Sequence, residues 1–132
     1  MGKLNDDAKE LLNQPIHGWV TTLRPDGSLH STVVWVAVDG DDVIFNTAVG
    51  RAKERHLRAN PQVSLSVLDP KDAFHLVSVS GVGELELEGA DEVIDGLAKK
   101  YLGVETYPYR QPGEQRVTVR IRPEQVIYSA GS

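Results

Sequence analysis

"HGWVTTLRPDGSLHSTVVWVAVDGDDVIFNT", residues 17–47, is the stretch on which the fold turns. Three runs in it, 17–24, 29–38 and 42–47, are rich in β-branched and aromatic residues, and the turn-forming "PDGS" and "DGDD" separate them. Strands this short, joined by turns this tight, pair with their sequence neighbours and make an antiparallel meander.

The rest of the chain extends that pattern. "QVSLSVLD" (62–69) and "FHLVSVSGVGELELEG" (74–89) read as two further strands, with Gly81 and Gly83 breaking the alternation of the second and predicting a bulge or barrel corner. "RVTVRIRPEQVIYSA" (116–130) reads as a last strand interrupted at Pro123. Between them, "EGADEVIDGLAKKYLG" (88–103) sets Val93, Ile94, Leu97, Ala98, Tyr101 and Leu102 at helical spacing, with acids in the first turn, lysines in the last and Gly103 beyond. Leu11 and Leu12 before Pro15 predict a short helical arm within residues 1–15. The order β-β-β-α-β-β-α-β has no βαβ alternation, which argues against a parallel Rossmann sheet. A mainly-β fold is expected instead: a six-stranded antiparallel barrel with peripheral helices, one domain over residues 1–132.

Composition bounds the function. The chain has 132 residues and a formal charge of -5, which argues against a general nucleic-acid or anionic-membrane binder. It has no cysteine, which removes disulfides, thiolate nucleophiles and cysteine metal sites. No run resembles a signal peptide or a membrane span, so a cytoplasmic protein is the expectation. His17, His30, His56 and His75 show no metal-ligand spacing, no serine sits in a nucleophile elbow, and "GVGELE" (81–86) leads into a strand and not into a phosphate-binding helix. Glu84, Glu86 and Glu88 alternate as a solvated strand face does.

Two features stand out against this background. In "TVVWVAV" (32–38) Val33, Trp35 and Ala37 face one way and Val34, Val36 and Val38 the other, so both faces are apolar. One face fills a barrel; the other requires a ligand, the helix at 89–102 or a second subunit, and a homodimer is the expectation. The second feature is "NTAVGRAKERHLRANP" (46–61), which concentrates Arg51, Lys53, Arg55 and Arg58 on an acidic protein. A strand, a small-residue turn and a helix starting near Arg51 leave unpaired N–H groups where the helix dipole favours an anion, and the two cations suit a phosphate. The residues alone equally describe a solvated helix whose arginines pair with surface acids.

The pieces "LRPDGS" (23–28), "FNTAVGRAK" (45–53), "NP" (60–61) and "IRPE" (121–124), in this order and spacing, resemble the split β-barrel flavin and deazaflavin oxidoreductases related to pyridoxamine-phosphate oxidase, in the branch that uses coenzyme F420. The resemblance implies a homodimer with the cofactor at the subunit interface. It implies cofactor contacts at Thr32, Val33, Val34 and Trp35 along the ring, and at Asn46, Thr47, Ala48, Gly50, Arg51 and Lys53 around the phosphate. The implied activity is hydride transfer from F420 to a quinone- or biliverdin-like acceptor; flavin mononucleotide (FMN) chemistry on the same fold, or binding of a cofactor or tetrapyrrole without turnover, are the alternatives. A cofactor of this kind carries the chemistry itself, which accords with the missing nucleophile. His75, Tyr107 and Arg110 are the candidate proton sources, the oligoglutamate tail of F420 has Arg55, Arg58 and Lys3 to meet, and substrate selectivity is expected in the N-terminal segment and the loops at 70–75 and 104–115.

Overall fold

The computed structural model describes residues 2–132. The elements are α1 (Asp6–Leu12), β1 (Gly18–Leu23), β2 (Leu29–Val34), β3 (Ala37–Asp39), β4 (Asp42–Ala48), α2 (Ala52–Ala59), β5 (Gln62–Asp69), β6 (Asp72–Glu86), α3 (Ala90–Leu102) and β7 (Arg116–Ala130). All seven strands belong to one antiparallel sheet in the order β2-β1-β5-β6-β7-β4-β3. The mainly-β, antiparallel architecture expected from the alternation is present, with one strand more than expected.

The extra strand comes from the run at 29–38, which breaks at Trp35–Val36. β2 pairs with β1 at one edge of the sheet and β3 with β4 at the other. The chain therefore passes from the first edge to the last in two residues, and the sheet curls into a barrel whose seam is spanned by covalent chain and not by a ladder. A break in a strand leaves backbone groups to satisfy. Here α3 supplies the partners: Val36 N–H donates to Tyr101 Oη at 2.9 Å, and Val36 O accepts from Lys100 Nζ at 2.5 Å. Alternation shows no sign of this break because apolar residues continue through it.

The bulge appears where the glycines predict it. Ser80 faces Gln125 while Gly81 faces Pro123, so Glu124 is the extra residue. A Cβ on Gly81 would sit 2.3 Å from Arg122 O, so only glycine permits this approach. Pro123 does not end β7, contrary to the sequence reading, because the bulge absorbs its missing N–H.

Phe45, Val20, Val36, Leu65, Val77, Val79, Val119 and Ile121 fill the barrel, each at most 1% exposed. α1, capped by Asn5 Oδ1 accepting from Ala8 N–H at 2.7 Å, adds Ala8, Leu11 and Leu12 to the same core. α3 packs outside with Ala90, Ile94, Leu97 and Ala98 buried. Of the apolar residues on the outer face of β2 and the break, Trp35 stacks on Tyr101 with ring centroids 5.4 Å apart and planes 12° apart, whereas Val33 stays 46% exposed. The helix covers half of what the sequence left open. No helix among the described residues is long and apolar enough to cross a membrane.

Candidate functional site

β4, α2, β2 and α3 meet around a cavity of about 210 Å³ lined by His17, Val33, Val34, Trp35, Asn46, Thr47, Arg51, Lys53, Ile94, Leu97, Tyr107, Tyr109 and Arg116. Seven of these, Val33, Val34, Trp35, Asn46, Thr47, Arg51 and Lys53, are positions the sequence nominates for cofactor contact. Alternation on β2 sends Val34 into the core and Val33 outward, so the strand contributes an apolar wall.

The polar end is built by β4 and the start of α2. Gly50, at φ +93°, turns the chain out of β4, and Arg51 is the N-cap of α2 with no side-chain capping bond. In the helix interior Glu54 reaches back, accepting from Gly50 N–H at 2.8 Å and from Arg58 Nε at 2.6 Å and Nη2 at 2.9 Å. This carboxylate is buried, and the hydrogen bonds from Arg58 hold it below the usual glutamate range. Arg58 is thereby committed to the helix, and His56 is buried against Thr22 Oγ1 at 2.9 Å; of the remaining cations in α2, Arg55 is exposed. Free backbone N–H groups in the first turn face no carboxylate cap from Arg51, and the cations next to them increase the positive potential there.

Three cations converge. Lys53 Nζ donates to Thr32 Oγ1 at 2.9 Å, which sets Thr32 beside the cavity. Burial first, then the charges of Arg51 and Arg116, hold the Lys53 ammonium below the ordinary lysine value. Arg116 is the cation that sequence reasoning missed. Its side chain is almost wholly buried, its Nε donates to Asn46 Oδ1 at 2.8 Å, and its guanidinium lies over the Tyr107 ring at 5.1 Å. Asn46 passes the constraint on, donating from Nδ2 to Ala90 O at 2.9 Å. Among the described residues only one carboxylate answers the three cations: Glu114, at 3.1 Å from both Arg51 and Arg116.

One polar atom in this wall has no partner. Thr47 Oγ1 is buried without a hydrogen bond, an arrangement that costs roughly 1–3 kcal/mol unless a ligand or water completes it. An anion held by Arg51, Lys53 and Arg116 meets that need chemically, so the residues fit a phosphate. The apolar end, Val33, Trp35, Ile94, Leu97 and the Tyr107 and Tyr109 rings, fits a flat conjugated system.

Three nominated residues do not line the cavity: Thr32 touches it through Lys53, Ala48 is buried behind it, and Gly50 supplies the turn. Of the proton candidates, Tyr107 lines it, Arg110 is held by Asp95 at 2.8 Å, and His75 lies in another cleft, paired with Asp69 at 3.0 Å. The alternating acids of β6 are surface partners, Glu84 for Arg122 and Glu86 for Arg120. No cluster of three potential metal-ligating His, Cys, Asp or Glu occurs among the described residues.

Comparison with solved structures agrees with this fold. An F420 reductase is 30% identical over 94% of this chain and 98% of its own, with a TM-score of 0.81. A conserved hypothetical protein from Mycobacterium tuberculosis is 26% identical over 98% of this chain and 86% of its own, TM-score 0.80. A pyridoxamine 5'-phosphate oxidase-like protein from Listeria innocua shares the fold at 22% identity, covering 94% and 98% of the two chains, TM-score 0.70. No curated protein sequence matches the chain. The family signature of pyridoxamine 5'-phosphate oxidase matches residues 4–130, nearly the whole chain, and with the seven-stranded split barrel this makes the protein a member of the pyridoxamine 5'-phosphate oxidase family.

Proposed function

We propose that this protein is an oxidoreductase that binds deazaflavin coenzyme F420 in the cavity between β2, β4, α2 and α3 and reduces a conjugated small molecule of the quinone or biliverdin type. The observation that carries the reading is the convergence of Arg51, Lys53 and Arg116 beside an unpartnered Thr47 hydroxyl, with an apolar and aromatic wall adjoining. The likeness to an F420 reductase over nearly the full length of both chains supports the choice of cofactor.

Arg51, Lys53 and Arg116 would hold the phosphate, with Asn46 keeping Arg116 in place and Thr47 and Thr32 contributing hydroxyls. Val33 and Trp35 would support the ring. Bound and reduced, F420 supplies a hydride from its C5 carbon. The chain's own part is to orient and to exclude water. Trp35, fixed by its stack on Tyr101, gives a rigid surface, and Tyr107, set edge-on to Trp35 at 6.0 Å, closes one side. Tyr107 also brings the one phenol among the three proton candidates to the cavity.

The open side calls for a second copy. Across the outer sheet face Val33 lies opposite Trp19, Trp19 opposite Ser66, Ser66 opposite Ser78 and Ser78 opposite Ile127, and Trp19 and Ile127 are 57% and 65% exposed. A row of small hydroxyls flanked by large exposed apolar residues suits close apposition of two sheets, so the functional unit is a homodimer that shuts the cavity at Val33. Sedimentation velocity on the protein and on Trp19→Asp tests this; a wild-type monomer at micromolar concentration refutes it.

FMN is the competing cofactor, because its phosphate and ring meet the same chemical requirements. Titration with F420 and FMN, followed by reoxidation of enzymatically reduced F420 with a panel of quinones and tetrapyrroles, decides. Tight co-purifying flavin with no F420 affinity overturns the F420 reading; tight F420 binding with no acceptor faster than the protein-free control makes the chain a binder without turnover.

A further inference from the structure

Glu114 stands between the two arginines of the cation cluster. Its Oε2 accepts from Arg51 Nη2 and its Oε1 from Arg116 Nη1, both at 3.1 Å, and its side chain is only 7% exposed. It belongs to the segment 103–115 between α3 and β7, which also carries Tyr107 and Tyr109 into the wall of the same cavity. That segment is otherwise tied down by Asp95, which accepts from Tyr107 N–H and from Arg110 Nη2, each at 2.8 Å. The Arg116 guanidinium over the Tyr107 ring completes the link. Carboxylate, arginines and tyrosines form one connected unit, and the carboxylate is its charged joint.

The charges at this joint do not balance. Arg51, Lys53 and Arg116 face one carboxylate. An anion entering the cavity shares Arg51 and Arg116 with Glu114, and two negative groups on one pair of guanidiniums repel each other. We propose that Glu114 competes with the cavity's phosphate-bearing ligand for Arg51 and Arg116, so that the ligand's arrival releases Glu114 and, with it, the segment carrying Tyr107 and Tyr109. This rests on reading the cavity as a phosphate site. Glu114 then sets selectivity in two ways. A weakly charged ligand does not displace it, and the tyrosine wall adjusts to its occupant only once the phosphate is seated.

Inorganic phosphate is the probe, titrated calorimetrically at low salt into wild type, Glu114→Gln, Glu114→Asp and Lys53→Ala. Glu114→Gln is expected to bind phosphate about three- to tenfold more tightly than wild type, while Glu114→Asp, which keeps the charge, stays within about twofold. Hydrogen exchange over 104–114 is expected to speed up on adding phosphate to wild type, and to be fast with or without it in Glu114→Gln. The proposal is overturned if Glu114→Gln weakens phosphate binding, since Glu114 then only holds the arginines in place, or if phosphate slows exchange in the wild-type segment. Those failures leave the phosphate site standing as long as wild type binds phosphate and Lys53→Ala binds it far more weakly; absence of binding to wild type removes the site itself, and the competition with it.

Discussion

α2 and α3 are neighbours of the same cavity and are built on opposite principles. α3 carries Asp91 and Glu92 in its first turn and Lys99 and Lys100 in its last, so its charges complement its dipole, and Gly103 closes it in the left-handed conformation at φ +74°. α2 begins at Arg51 without a side-chain cap and sets Lys53 in its first turn, at the end where a cation opposes the dipole. Only Glu54 softens this, turned inward to Gly50 and Arg58. A helix that gives up local stability at its N-terminus, with a third cation brought from β7 to the same spot, is arranged for an external anion. The contrast separates an element that holds the fold together from one that serves the site.

If that contrast is real, the costliest substitution is at Arg116, where site and fold coincide. Arg116→Met leaves Glu114 buried with half its pairing and Asn46 Oδ1 without its donor. Breaking a buried pair from one side costs about 3 kcal/mol or more, so the midpoint of urea unfolding should fall well below wild type and phosphate binding should disappear. A stable Arg116→Met that still binds phosphate would remove the keystone of the site.

Next in size are the two cations that belong to α2 alone. Arg51→Ala and Lys53→Ala should each weaken binding of phosphate and of F420 by about 10- to 100-fold in titrations at low salt, since each removes a charge-assisted contact. Stability should hold or rise by a few tenths of a kcal/mol in Lys53→Ala, because a cation leaves the positive end of a helix, and should fall modestly in Arg51→Ala, which also takes one of the two arginines from Glu114. A clear fall in melting temperature with unchanged phosphate affinity would make α2 an ordinary structural helix and cancel the comparison.

How much of this was legible depended on the range of the interactions. The strands were readable because alternation and turn residues are local, and so was α3, whose charges lie within its own 13 residues and whose glycine caps flank them directly. The break at Trp35–Val36 was not, because the groups that satisfy it, Tyr101 and Lys100, lie 65 and 64 residues away, and nothing in the apolar run marks the place. Arg51 and Lys53 announced themselves by their position after a strand and a turn. Arg116 did not: in "RVTVRIR" it looks the same as Arg120 and Arg122, which pair with carboxylates away from the cavity, and only the tertiary structure distinguishes it. Tyr109, Ile94, Leu97 and His17 were missed for the same reason, because no spacing rule relates residues from three separate segments.

For α3 the expected effects are smaller and act on stability alone. Gly103→Ala forces a side chain into the left-handed region and should cost about 1 kcal/mol in urea unfolding while leaving phosphate affinity unchanged. A matching loss of affinity would show α3 to be part of the site machinery, blurring the division.

The subtlest test concerns Lys100, which ties α3 to the rest of the barrel by donating to Leu12 O at 2.8 Å and to Val36 O. Burial lowers its pKa from 10.5 to about 8. Below pH 8 the lysine is charged in both the folded and unfolded chain, and it contributes no pH dependence. Between about pH 8 and 10.5 the unfolded chain holds the proton that the folded one has released, so stability should rise with pH across this window. The neutral amine keeps two N–H groups, enough for both carbonyls. Because the side chain is only half-buried, solvent screening holds the slope well below the roughly 1.4 kcal/mol per pH unit of a single full proton. Urea unfolding at pH 7.5 and 9.5 should show the rise in wild type and lose it in Lys100→Met; a fall with pH in wild type, with the same fall in Lys100→Met, would mean that the lysine remains protonated and that α3 is anchored by a buried charge after all.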